Sequence, residues 1–366
     1  MNRFIISGGG TGGHIFPALA IATQLMEEIP GAEILFIGAN GKMEMTRVPE
    51  AGYNIEGLDV FGIRRDISWS GILSNLRLPF VLLKTMSKAK AIMWRFKPDV
   101  VIGVGGYASG PALRAAQALK IPTIIQEQNS YPGKTNKWLA KKVSKICVAY
   151  DGLEHFFPVD KIVKTGNPVR AEIINFQPKI EAAYSFFGFD KNKKTVLIIG
   201  GSQGARTINQ AVFACIAQFK KMDYQFLWQT GELFYSTNEA QLSGLVSKNM
   251  KIVPFIKRID LAYSVADYIV SRAGALAIAE LAIVGAPTIL VPLPTAAEDH
   301  QTANARQLSE AGAALLLPDK EVLKKLFATL ENLLCNDEKA KELASNIKQF
   351  AKPDAILNIV KVIKQQ

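Results

Sequence analysis

The chain has 366 residues, 49% of them hydrophobic and 20% charged, which suits about two domains with sizeable cores. Its formal charge of +11 points to an anionic partner: nucleic acid, a phosphorylated substrate or an anionic membrane surface. Three widely separated cysteines, Cys147, Cys215 and Cys335, speak against a disulfide framework, and no apolar run reaches the ~18–20 residues of a membrane span.

Strand and helix patterns alternate along the chain, which predicts an α/β protein with parallel sheets. Phe4-Ile5-Ile6 reads as a first strand. Ser7-Gly8-Gly9-Gly10-Thr11-Gly12-Gly13-His14 is a glycine turn, and residues 19–28 read as a helix stopped by Pro30-Gly31. Bare glycine backbone before a helix start suits a phosphate. The spacing Gly8-x-Gly10-x-x-Gly13 also satisfies the dinucleotide fingerprint, but the next strand, residues 33–37, ends in Gly38-Ala39-Asn40 without the acid that a nicotinamide ribose requires. A dehydrogenase is therefore disfavoured.

Residues 67–97 combine an apolar run with Lys84, Lys88, Lys90, Arg95 and Lys97. The segment reads as a core helix with a solvated basic face or as a membrane-surface patch, for which Trp69, Ile72 and Leu73 are the candidate exposed residues. An apolar strand at 99–104 enters a second glycine turn, Gly105-Gly106-Tyr107-Ala108-Ser109-Gly110-Pro111. The strand at 122–125 ends in Gln126-Glu127-Gln128-Asn129, polar groups at the edge where open α/β sheets bind ligands. Gly166-Asn167-Pro168-Val169-Arg170 looks like the exit from a first domain.

The plan then repeats. Residues 196–199 form a strand, Gly200-Gly201-Ser202-Gln203-Gly204-Ala205-Arg206 a glycine turn, and residues 208–219 a helix. Strands follow at 226–229, 250–253, 267–271 and 287–292, the last clear one. Helices are expected at 321–334, 339–350 and 354–364. The expected division is 1–168, 169–345, and a terminal helix in 346–366 that either caps the second domain or crosses back to the first.

Ser271-Arg272-Ala273-Gly274-Ala275 opens a helix with small residues, so its N-terminus can lie against a pyrophosphate. Glu280 follows between one and two turns in, placed to accept hydrogen bonds from ribose hydroxyls. Its apolar neighbours Ala279, Leu281 and Ala282 argue against a solvent-facing acid. The polar run from Glu298 to Asn304 suits sugar hydroxyls or a helix cap. No Asp-x-Asp pair occurs and no metal spacing surrounds the three histidines, so no metal or other cofactor is expected. The leaving group would be stabilised by helix dipoles with Arg170 and Arg206.

These motifs in this order resemble the MurG family of peptidoglycan N-acetylglucosaminyltransferases, from near residue 1 to about residue 305. The resemblance implies a GT-B fold: two Rossmann-like doubly wound domains, with the active site in an interdomain cleft. It implies inverting transfer of N-acetylglucosamine from UDP-N-acetylglucosamine to the C4 hydroxyl of undecaprenyl-diphospho-muramoyl-pentapeptide. This would take place at the cytoplasmic face of the bacterial inner membrane, with the protein bound peripherally to an anionic surface and other cell-wall enzymes as candidate partners. The family's donor positions fall on Thr11, Gly12, Gly13, Asn129, Arg170, Ser202, Ile256, Ala275, Leu276, Ala277, Ile278, Ala279, Glu280 and Gln301. His300 or Thr302 could share the role of Gln301, and the backbone amide of Ile256 could read the uracil edge. For the general base, His14 at a helix start is the candidate, because that position favours its neutral form. Glu127 is the alternative, as base or as an acceptor-positioning group. Another GT-B transferase and a non-catalytic nucleotide-sugar-binding protein are the competing readings. A nucleic-acid binder is disfavoured, because no such module is present.

Overall fold

A computed structural model describes residues 1–60, 69–201 and 203–366, with the backbone alone described at 69–82 and at Ala297. Ser202 and the side chains of Trp69, Ile72 and Leu73 therefore lie outside the described residues. The chain forms two compact units, Met1–Val169 with Pro353–Gln366, and Arg170–Lys352.

The first unit is built on seven parallel strands: β1 (Arg3–Ser7), β2 (Glu33–Ala39), β3 (Asn54–Leu58), β4 (Val100–Gly103), β5 (Thr123–Glu127), β6 (Lys145–Val148) and β7 (Ile162–Lys164). Their order across the sheet is β3-β2-β1-β4-β5-β6-β7. The central strands are apolar along their whole length because helices cover both faces. Side chains alternate between those faces. Phe4, Ile6, Val100 and Ile102 enter one core, while Ile5, Val101, Ile125 and Ile146 enter the other. The order reverses between β1 and β4, so the loops after these strands flank a switch point, where such sheets take ligands.

The terminal helix Ala355–Lys364 belongs to this unit. Its Ile359, Val360 and Ile363 complete the core beneath β1 and β4, and Lys364 pairs with Glu28 at 3.0 Å. The expected boundary at 345 cuts the helix Asp337–Lys348, whose Leu343 and Ile347 are fully buried; the second unit extends to Lys352 instead.

The second unit carries β8 (Thr195–Ile199), β9 (Gln225–Gln229), β10 (Met250–Val253), β11 (Tyr268–Arg272), β12 (Thr288–Val291) and β13 (Leu315–Leu316). All pair in parallel in the order β10-β9-β8-β11-β12-β13, with the reversal between β8 and β11. β13 was not expected, because two residues carry no readable periodicity. The helix expected at 208–219 is two helices, Arg206–Ala214 and Ile216–Phe219, broken at Cys215.

The first helix also differs from expectation. It runs Gly12–Glu28, starting seven residues early. The Thr11 carbonyl accepts the N–H groups of His14 and Ile15 at 3.1 and 3.2 Å, so the first turn closes on the glycines themselves. His14 thus lies in that first turn. Replacing Ile359 with alanine should remove about 2–5 kcal/mol of stability, the range for emptying a buried aliphatic site. Urea unfolding followed by circular dichroism measures this; an unchanged midpoint would mean that the terminal helix does not complete the first core.

Candidate active site

In the first unit the glycine turn after β1 is tied down by a residue that the sequence did not single out. Glu44 begins the helix Glu44–Glu50 and is 1% exposed. Its Oε2 accepts the Gly10 N–H at 2.8 Å, and its Oε1 accepts the Ala39 N–H at 3.0 Å. A Cβ on Gly9 would lie 2.2 Å from this carboxyl group. Glycine at position 9 therefore answers to a buried side chain, and the amide of Gly10 already has an anion.

His14 is half-buried, with Nδ1 3.1 Å from the Gly9 carbonyl and 3.3 Å from Thr11 Oγ1. A carbonyl oxygen only accepts, so the contact with Gly9 places the proton of the neutral ring on Nδ1 and makes Nε2 the basic atom. The imidazole packs on Gly105, where a Cβ would come within 2.9 Å of Nε2. Gly105 has φ of +94°, which glycine adopts without strain. The second glycine turn thus leaves room for the ring rising from the first. Thr11 and Gly13 are exposed and Gly12 half-buried around it.

Glu127 ends β5 and is 1% exposed. Oε1 accepts from the backbone and side-chain nitrogens of Asn129 at 3.1 and 3.2 Å; Oε2 accepts from the Gly133 N–H at 3.2 Å and Asn136 Nδ2 at 2.8 Å. Burial raises its pKa, and these donors oppose the shift. With both oxygens committed inward, its geometry is that of a positioning group: it shapes residues 128–133 and aims Asn129.

In the second unit Gly274 precedes the helix Ala275–Val284 in extended conformation. Ala275 and Ile278 are buried, while Leu276, Ala277 and Ala279 are half-buried. Glu280 is 7% exposed; Arg170 Nε donates to its Oε1 at 2.9 Å and the Tyr263 hydroxyl to its Oε2 at 3.0 Å. Burial raises the pKa of Glu280 against the pull of Arg170 and Tyr263. Tyr263 was not foreseen, because an aromatic residue in an apolar helix reads as core.

The Ile256 amide, expected to read a uracil edge, is already donated to Gln229 Oε1 at 3.0 Å. Gln229 Nε2 in turn donates to the Gly201 carbonyl at 2.7 Å, joining the loops after β8 and β10. Gln301 Oε1 accepts the Leu293 N–H at 2.9 Å and holds the loop after β12. Arg272, 9% exposed at the end of β11, pairs with Asp319 and donates to Thr207 at 3.0 Å and to the Pro292 carbonyl at 3.2 Å. Arg206 is exposed at the start of its helix. Among the described residues, no group of three or more His, Cys, Asp and Glu is arranged to hold a metal ion.

Two independent stretches of the chain match one family of enzymes. Residues 4–148 match the glycosyltransferase family 28 N-terminal domain, and residues 195–359 its C-terminal domain. A Flavobacterium psychrophilum protein is 49% identical over 358 residues, 98% of this chain and 96% of its own length. It is named UDP-N-acetylglucosamine--N-acetylmuramyl-(pentapeptide) pyrophosphoryl-undecaprenol N-acetylglucosamine transferase. A Cytophaga hutchinsonii protein of the same name is 51% identical over 98% of this chain and 95% of its own. The crystal structure of Acinetobacter baumannii MurG superposes with a TM-score of 0.79 at 32% identity, covering 100% of both chains.

This chain belongs to the MurG family of glycosyltransferases.

Its fold is accordingly GT-B, each MurG-type unit being one of the two parallel sheets described above. A UDP-GlcNAc 2-epimerase from Neisseria meningitidis, 15% identical with a TM-score of 0.66 over 100% of both chains, shares the fold alone. Within the MurG family pattern, Glu44, Gln229 and Tyr263 are supports that a reading of the motifs passes over. Glu44→Ala leaves the buried Ala39 amide without its acceptor and releases the Gly10 amide, and should cost about 1–3 kcal/mol. By contrast Glu50→Ala, at an exposed residue paired to Arg47, should stay within about 0.5 kcal/mol. Chemical denaturation of both variants checks this; equal midpoints would remove Glu44 from its role.

Proposed function

We propose that this protein transfers N-acetylglucosamine from UDP-N-acetylglucosamine to the C4 hydroxyl of undecaprenyl-diphospho-muramoyl-pentapeptide, with inversion at the anomeric carbon. The observation that carries this reading is its near-full-length identity, about half, with transferases whose names state that reaction.

The donor belongs to the second unit. The helix Ala275–Val284 presents its N-terminus to the diphosphate, where its dipole favours negative charge. Glu280 accepts the ribose hydroxyls. Arg170, next to Glu280 and half-exposed, supplies positive charge for the diphosphate. Asn129, Gln301 and the residues at 11–13 complete the donor contacts that the resemblance implies; Ser202 is kept as a further contact.

The acceptor hydroxyl attacks C1 of the sugar. Its oxygen forms the new C–O bond as the bond from C1 to the diphosphate oxygen breaks, and UDP leaves with that electron pair. The hydroxyl proton passes to Nε2 of His14. The Gly9 carbonyl, accepting from Nδ1, stabilises the imidazolium that forms. Developing charge on the leaving diphosphate is met by the helix N-terminus and Arg170, and this assignment needs no metal ion or other cofactor.

Among the described residues no helix is long and apolar enough to cross a membrane. A lipid-linked acceptor therefore requires another means of approach. The helix Trp69–Phe96 exposes Leu83 and Trp94 beside Lys84, Lys88 and Arg95. We assign this segment, with Trp69, Ile72 and Leu73 at its start, to an anionic membrane surface on the cytoplasmic side.

His14→Ala should lower kcat by about 10²–10⁴, the range for a general base, while calorimetry finds UDP affinity little changed. A variant with near-normal kcat on the lipid-linked acceptor would take His14 out of the reaction.

A further inference from the structure

Glu280 has a partner that no motif explains. Tyr263 lies in the helix Ile259–Val265 and is 2% exposed, between buried Ala262 and Ser264. A phenol in that position carries a polar hydroxyl that must find an acceptor, and a phenylalanine would fill the same space without that demand. The hydroxyl donates to Glu280 Oε2 at 3.0 Å, across 17 residues of sequence. Arg170 Nε takes the other oxygen at 2.9 Å.

The two donors are not alike. The Arg170 side chain is 51% exposed and that of Glu280 is 9% exposed. Arg170 approaches the carboxylate from the surface and can turn to a phosphate. Tyr263 is fixed in the core and cannot follow. Each carboxylate oxygen accepts more than one hydrogen bond, so the grip of Tyr263 leaves acceptor capacity for ribose. The charged groups acting on Glu280 are Arg170, which favours its ionised form, and Glu172, which opposes it. Burial also holds the Tyr263 hydroxyl protonated far above its usual range, so it stays a donor.

We propose that Tyr263 is a positioning residue for donor recognition: its hydroxyl fixes the orientation of the Glu280 carboxylate that receives the ribose 2′- and 3′-hydroxyls. This rests on the reading of Glu280 as the ribose acceptor given above. The hydroxyl keeps that orientation when Arg170 turns toward the diphosphate.

The test is a cycle of two proteins and two ligands. UDP and 2′,3′-dideoxy-UDP are titrated calorimetrically into the wild type and Tyr263→Phe. The wild type should prefer UDP by about tenfold or more, the scale of one or two hydrogen bonds to a charged group. Tyr263→Phe should lose about fivefold in UDP affinity on the same scale and little for the dideoxy ligand. In steady-state transfer, KM for UDP-N-acetylglucosamine should rise more than kcat falls. Unchanged UDP affinity, or an equal loss for both ligands, would show that Tyr263 merely packs, and would overturn the proposal. A wild type that fails to distinguish the two ligands would instead overturn the Glu280 reading, and the role of Tyr263 with it.

Discussion

A carboxylate withdrawn from water must be met by donors, and this chain meets two such groups in its first unit and one in its second. Leaving one such charge unpaired costs several kcal/mol. Glu44 is met by the amides of Gly10 and Ala39, Glu127 by Asn129, Gly133 and Asn136, and Glu280 by Arg170 and Tyr263. The donors come from loops, from the end of a strand and from helices that lie apart in the sequence. The three carboxylates thus act as internal templates: one for the turn beneath His14, one for the loop that carries Asn129, and one on the helix Ala275–Val284. In the first two the donors close the carboxylate off. In the third, one donor is a surface arginine, which leaves Glu280 able to serve a ligand.

The same constraint alters the meaning of the glycines. In the first unit, Gly9 makes way for Glu44 and Gly105 makes way for His14. In the second, a Cβ on Gly204 would lie 1.9 Å from the Thr230 carbonyl. These positions serve close packing that in turn fixes the neighbouring side chains and loops.

Much of this was legible in the residues. Apolar runs such as Val100-Val101-Ile102 mark strands buried on both faces, and their repetition after residue 195 announces a second sheet. The burial of Glu280 was readable because an acid among Ala279, Leu281 and Ala282 is out of place on a solvent-facing side of a helix. Glu44 and Tyr263 were not readable. Glu44 lies 34 residues from Gly10, and nothing local distinguishes it from any acid at a helix start. Tyr263 sits in an apolar helix where any large side chain would suit the pattern. The internal acceptor of the Ile256 amide was not readable either, because Gln229 lies 27 residues away at the end of a strand. Long-range hydrogen bonds leave no periodicity, and the supports of this site are made of them.

Assigning one base, His14, to one displacement at C1 commits the reaction to a single inversion. The direct measurement is the anomeric configuration of the disaccharide formed from α-linked UDP-N-acetylglucosamine and the lipid-linked acceptor, read from the coupling of its anomeric proton by NMR. The expected product is β-linked. An α-linked product would mean retention of configuration at C1 and would contradict the direct back-side displacement in which His14 serves as base.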